Sequence, residues 1–134
     1  MMKTSLLIVA LWAGLSVAGH SQVVRNIADL EPSEPFENIH VQKLSSDERS
    51  TAFVIWVKNE VKAHKHAEHS EIVYVLEGEV EMTIGDKSYR VKPGDFIQIP
   101  KDTVHSARNL GQTPAKVLSV QAPAFFGKDR IFVE

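Results

Sequence analysis

The sequence predicts an all-β fold, in the form of a small antiparallel barrel or double-sheet roll. From Thr51 onward, short runs rich in Val, Ile, Phe and Tyr are separated by turn residues about every eight to twelve positions. No part of this region shows a helical period over about ten or more residues, so little helix is expected. Closing such strands into a barrel or roll removes the exposed edges that would otherwise pair with other chains.

The predicted strands are separated by residues that favour tight turns. Glu77-Gly78, Gly85-Asp86, Pro93-Gly94 and residues 100–102 supply the positive or fixed φ angles that such turns need. In chain order, the predicted strands are residues 51–57, 60–63, 72–76, 79–84, 88–91, 96–99, 103–108 and 115–121.

The alternation of side chains predicts which face of each strand is buried. Val80 and Met82 share one face of their strand, which indicates that this face packs against the core. Glu71 shares a face with Val73 and Val75 in the same way. The sequence therefore predicts a carboxylate in line with core valines.

The N-terminal residues 1–21 are typical of a secretory signal peptide. Lys3 precedes an apolar stretch that ends in small residues, and cleavage after Gly19 or after Ser21 would satisfy the small-residue rule. The alternative is a retained membrane anchor, but the apolar stretch is shorter than the about 20 residues that span a membrane. We therefore expect an exported chain, periplasmic or extracellular, with no membrane association after cleavage.

The rest of the chain is expected to form an N-terminal arm and one domain. Residues 22–50 are mixed and polar, with Pro32 and Pro35 close together, which favours an extended arm. Residues 51–134 are predicted to form the barrel. The formal net charge is −2 and the basic residues are scattered, so nucleic-acid binding is not expected. The chain has no cysteine, which excludes disulfides and thiolate ligands.

Three histidines and one carboxylate form a candidate site for a divalent metal. His64 and His66 project to the same side of an extended segment, with Cα atoms about 6.6 Å apart. Glu71 begins the next strand on its inward face, and His105 follows the turn at residues 100–102. These ligands suit Mn, Fe, Ni, Co, Cu or Zn and leave one or two positions open for water or substrate. The alternative is a set of solvated histidines on a charged loop.

The spacing of these residues resembles the two sequence signatures of the cupin superfamily. The first signature is matched by His64, His66, Glu71 and Gly78, and the second by Gly94, Pro100, His105 and Asn109. The chain departs from the usual glycine at Lys58 and at Asp102, which are turn positions and not ligands.

The resemblance implies a small single-domain cupin of the type-2 kind, folded as a jelly-roll barrel or double-stranded β-helix, and residues 1–21 add the expectation that it is a secreted bacterial form. It implies that His64, His66, Glu71 and His105 bind one metal inside the barrel. It also implies a homodimer.

Several other polar residues are weaker candidates for the site. Glu68 and His69 could support the metal ligands, but solvated loop residues are the more common case. Gln98 could point into the cavity or lie on the surface. Arg90 could bind a carboxylate, whereas Arg108 is expected to point outward. Core or interface packing is expected of three aromatic residues, namely Phe53, Trp56 and Tyr74.

An open metal in an apolar barrel allows several functions, and the fold does not choose among them. The first hypothesis is an isomerase or lyase that acts on a small oxygenated molecule such as a keto-sugar, uronate or hydroxy acid. The second is an Fe(II) dioxygenase, and the third is a non-catalytic protein that binds a metal or a small ligand. Glu71 is the main candidate for a catalytic acid or base.

Overall fold

The structure is a computed structural model that describes residues 24–134, so the predicted signal peptide lies outside the described residues. Within that range, ten strands form two five-stranded antiparallel sheets, which share one core. The all-β prediction is confirmed. No helix among residues 24–134 is long and apolar enough to cross a membrane.

The strands follow one another through short turns after a single 3-10 turn at Ile27–Asp29. The first sheet has the order β1-β2-β9-β4-β7 and the second the order β10-β3-β8-β5-β6. In chain order the strands are β1 Ile39–Ser46, β2 Thr51–Val57, β3 Glu60–Lys65, β4 Ser70–Glu77, β5 Val80–Ile84, β6 Lys87–Val91, β7 Phe96–Ile99, β8 His105–Asn109, β9 Ala115–Ala122 and β10 Ile131–Phe132.

The core lies between the sheets and follows the predicted alternation. Val73 and Val75 on β4 pack with Val80 and Met82 on β5, and all four side chains are buried. Glu71 lies on the same inward face of β4 and is also buried. The carboxylate is therefore at one end of an apolar interior, where an unpaired charge would be costly.

The strand β1 falls inside the segment that the sequence predicted to be an arm, residues 22–50. It pairs with β2 along its length, so the sheet begins at Ile39. Ile39 and Val41 line the cavity, but Gln42 and Lys43 break the apolar pattern. Because this alternation is weak, the sequence analysis did not predict β1. It also did not predict β10, which has only two residues.

The arm that precedes β1 packs on the outer face of the first sheet. Lys116 on β9 is 1% exposed, and its Nζ donates hydrogen bonds to the carbonyl of Ala28 at 2.7 Å and to Glu77 at 3.2 Å. The ammonium also lies 5.7 Å from the ring centroid of Trp56. These contacts anchor the arm through a buried charge that the sequence analysis did not identify.

Of the two departures from the cupin signatures, only Asp102 has a positive φ angle. Asp102 has φ of 60°, a left-handed conformation that aspartate tolerates, and its N–H donates to the carbonyl of His66. Lys58 is absent from the positive-φ residues of the described chain, so a glycine is not required there. Gly78 does need to be glycine, since its φ is 84° and a Cβ would meet the backbone of Ala115 at 3.0 Å.

Candidate metal centre

The four predicted ligands come from both sheets and meet at one end of the core. His64 on β3 lies opposite His105 at the start of β8, and His66 follows directly after β3. Glu71 enters from β4 of the other sheet. All four residues are at most 7% exposed, and one ligand atom from each lies within 4.8 Å of the others.

The backbone fixes which ring nitrogen of each histidine faces the centre. The Nδ1 atom of His64 lies 2.8 Å from the Lys62 carbonyl, and that of His105 lies 2.9 Å from the Thr103 carbonyl. The Nδ1 atom of His66 contacts a carbonyl in the same way. Because a carbonyl can only accept, each Nδ1 donates its proton and each Nε2 keeps a free lone pair.

These lone pairs are directed at a common point that holds no protein donor. The Nε2 atoms of His66 and His105 are buried without a hydrogen-bond partner. They lie 3.4 and 3.3 Å from Oε2 of Glu71. Such contacts between a lone pair and a carboxylate oxygen are repulsive unless a proton or a metal cation lies between the atoms. Ligands at about 2.1 Å from a metal are about 3.0 to 3.4 Å apart in octahedral or tetrahedral geometry, so the site fits a metal ion.

The carboxylate of Glu71 is oriented by a hydrogen bond on its other side. The hydroxyl of Ser119 donates to Oε1, and the Gln121 amide lies 3.4 Å from the same oxygen. Burial raises the pKa of this carboxyl, but contacts with His105, His66 and Ser119 outweigh burial and hold the pKa well below its ordinary value. Glu71 is therefore ionised, with Oε2 directed at the three imidazoles.

Two of the ligand histidines, His64 and His66, have pKa values shifted in opposite directions. Burial lowers the pKa of His64 to about 4, against the opposing effect of the Lys62 carbonyl, so this imidazole is neutral at pH 7. Burial lowers the pKa of His66 too, but Glu71 and the Asp129 carbonyl raise it above the ordinary value. The carboxylate that attracts a proton to His66 would also attract a metal cation.

A C-terminal segment around Asp129 positions His66, and the sequence analysis did not identify it. The Asp129 carboxylate accepts hydrogen bonds from the backbone N–H groups of Ala67, Glu68 and His69, at 2.7, 2.8 and 3.1 Å. The same carboxylate lies 2.8 Å from Nδ1 of His69, and the Asp129 carbonyl accepts from Nδ1 of His66. The C-terminal segment therefore fixes both the ligand and the loop that follows it.

The two loop residues that the sequence left open behave differently. Glu68 is exposed, as expected for a solvated loop. His69 is 2% exposed, and its ring stacks on His66 with centroids 4.1 Å apart, so the expectation that it is solvated was wrong. Its partner Asp129 is distant in sequence, and no local pattern connects the two.

The remaining candidates lie away from the site, whereas one residue that was not a candidate lies beside it. Gln98 is exposed on the outer face of β7, and Arg90 and Arg108 form ion pairs on the surface of the second sheet. Arg130, in contrast, lines the cavity beside His64. The cavity has a volume of about 70 Å³, and most of its other lining residues are valines and further apolar side chains, as the sequence analysis predicted.

Comparison with known proteins agrees with this architecture. The cupin domain family matches residues 52–121. An uncharacterized protein of Aquifex aeolicus is 32% identical over 113 residues, which cover 83% of this chain and 93% of that protein.

Two further proteins are similar over part of the chain. The crystal structure of TT1209 from Thermus thermophilus has a TM-score of 0.69 at 26% identity, and the match covers 76% of this chain and 98% of that one. Quercetin 2,3-dioxygenase of Bacillus subtilis is 38% identical over 63 residues, which cover 47% of this chain but 18% of that enzyme. The family match and the Aquifex relative, together with the two-sheet fold, show that this chain belongs to the cupin family.

Proposed function

We propose that this chain is an exported, metal-dependent enzyme of the isomerase or lyase type that acts on a small oxygenated molecule. The convergence of three imidazole Nε2 atoms and one carboxylate oxygen within 4.8 Å carries the proposal. His64, His66, Glu71 and His105 would hold one divalent metal, which would stabilise negative charge on a substrate oxygen. Export rests on the leader-like composition of residues 1–21.

The cavity supports a small substrate. Its volume of about 70 Å³ is lined mainly by apolar side chains such as Val73, Val75 and Met82. Such a lining excludes bulk water and strengthens the few polar contacts that a substrate makes. A small hydroxy acid could enter this volume, whereas a keto-sugar or uronate is larger and could place only its oxygen-bearing end at the centre, and a polysaccharide chain would not enter.

Metal reconstitution tests the proposal. The chain is stripped of metal, reloaded separately with Mn, Fe, Co, Ni, Cu or Zn under nitrogen, and assayed by NMR with keto-sugars, uronates and hydroxy acids. We expect about one metal per chain and turnover that depends on the metal but consumes no oxygen. Metal binding without turnover of any substrate in the panel would contradict the enzymatic proposal and favour a non-catalytic binding protein.

A dioxygenase is the second candidate, because quercetin 2,3-dioxygenase of Bacillus subtilis is 38% identical over 63 residues. The same donor set suits Fe(II), and an iron-dependent oxygenase would use the same open positions. An oxygen electrode separates the two functions when the assay is repeated in air. Oxygen uptake that accompanies turnover and requires iron would replace the isomerase or lyase proposal with this one.

We also propose that the chain forms a homodimer through the outer face of β4 and β7. Ile72, Tyr74 and Phe96 lie on this face with exposed fractions of 38%, 39% and 63%, and Tyr74 pairs with Phe96 across the strands. Contiguous apolar side chains on a sheet surface are typical of an interface.

Phe96→Glu is expected to shift the mass measured by light scattering from dimer to monomer. Phe126→Glu, at another exposed aromatic residue, is the control, and a wild-type monomer would contradict the proposal.

A further inference from the structure

Arg130 is held at the cavity by anchors on both sides of it in the chain. Before it, Asp129 accepts hydrogen bonds from the loop at residues 67–69 through its carboxylate. After it, Ile131 and Phe132 pair with Lys65 and His64 as strand β10. The backbone position of Arg130 is therefore fixed relative to the candidate metal ligands, although the residue lies in a C-terminal segment.

Arg130 lines the cavity, and its guanidinium has no partner among the described residues. Among residues 24–134 it takes part in none of the side-chain hydrogen bonds or ion pairs, whereas Arg90 pairs with Glu79 and Arg108 pairs with Glu81. The residue itself is exposed, so a ligand that enters the cavity can reach it. Its positive charge is one cause that lowers the pKa of His64, which is consistent with its proximity to the centre.

The charges around the cavity favour an anionic ligand. One divalent metal and the carboxylate of Glu71 leave a net charge of about +1, and Arg130 raises it to about +2 beside an apolar lining. Arginine presents parallel N–H donors that match the two oxygens of a carboxylate. The hydroxyls of a neutral sugar could accept hydrogen bonds from these donors but would leave the positive charge without a counter-charge.

We propose that Arg130 binds the carboxylate of the substrate, which restricts the substrate class to small acids such as hydroxy acids, keto acids and uronates. This inference rests on the proposed function, because it assigns a ligand to the same metal centre. Arg130 would set specificity and orientation, while the four ligand residues hold the metal. The expected gain from a charged, paired hydrogen bond corresponds to about 10- to 100-fold in affinity.

Calorimetry with matched acid and neutral probes tests the inference. The metal-loaded protein is titrated with glycolate and glycolamide, and with D-galacturonate and D-galactose. We expect at least one acid to bind the wild type about tenfold or more tightly than its neutral partner. Arg130→Gln is expected to lower that preference about tenfold and to leave metal content unchanged, because only the charge of the metal centre then attracts the acid, with Arg130→Lys in between.

Arg49→Gln is the matched control, since Arg49 is 86% exposed in the turn between β1 and β2. An acid preference that is as large in Arg130→Gln as in the wild type and Arg49→Gln, or a wild type that binds neither acid, would overturn the inference while leaving the metal centre intact. A wild type that fails to hold metal would contradict the proposed function itself, and the metal analysis of the same samples distinguishes the two failures.

Discussion

Replacing His64 or His105 with alanine is expected to remove the bound metal, from about one ion per chain to near zero after dialysis. Each variant leaves three of the four donor atoms that meet within 4.8 Å. Metal affinity typically falls about 10- to 100-fold when a group hydrogen-bonded to a ligand is changed. Removing a ligand itself should lower the affinity by more than that. Elemental analysis of the dialysed variants measures the effect directly.

A buried histidine elsewhere in the chain provides the control for this experiment. His40 is 9% exposed, lies near Trp56 on the outer face of the first sheet, and is not part of the ligand group. His40→Ala should therefore retain its metal even if it is less stable. Full metal retention in both His64→Ala and His105→Ala would rule out the proposed centre.

Thermal unfolding gives an independent measure of the same prediction. A ligand that binds only the folded state raises the melting temperature, by an amount that grows with concentration above the dissociation constant. Added metal should therefore stabilise the wild type and His40→Ala but leave His105→Ala unchanged. This measurement does not depend on knowing the substrate.

The strands were predictable where one face is apolar and the other is polar. Val80 and Met82 alternate with polar residues, and the observed β5 has the predicted buried face. The strand β1 was missed because Gln42 and Lys43 interrupt a short apolar alternation that is completed only by pairing with β2. Local periodicity therefore predicted the strands that carry the ligands, but missed β1 and β10 at the edges of the two sheets.

The candidate ligands were predictable because their spacing is local, whereas the groups that position them are distant in sequence. His64 and His66 are two residues apart, and strand geometry alone places them on one side. Asp129 reaches the loop at residues 67–69 only through the folded C-terminal segment, and no pattern in the sequence connects them. Arg130 was not identified for the same reason, since it reaches the cavity only through this C-terminal segment.

Asp129→Ala is expected to weaken metal binding by about 10- to 100-fold without removing a ligand. The carboxylate accepts hydrogen bonds from the N–H groups of Ala67, Glu68 and His69, so its loss releases the loop that follows His66. The backbone carbonyl that orients the His66 ring remains, but the segment that carries it is less constrained. We also expect the metal-free protein to lose about 2 kcal/mol of unfolding free energy.

Competition with a chromophoric chelator measures the affinity, and urea denaturation of the metal-free protein measures the stability. Asp86→Ala is the matched control, because Asp86 is an exposed aspartate in the turn between β5 and β6. Asp129→Asn keeps one acceptor oxygen but loses the charge, so it should fall between the wild type and Asp129→Ala. The metal affinity reports on the position of the ligand, and the urea denaturation reports on the stability of the fold. If Asp129→Ala binds metal as tightly as Asp86→Ala, the C-terminal segment therefore stabilises the fold but does not position the ligand.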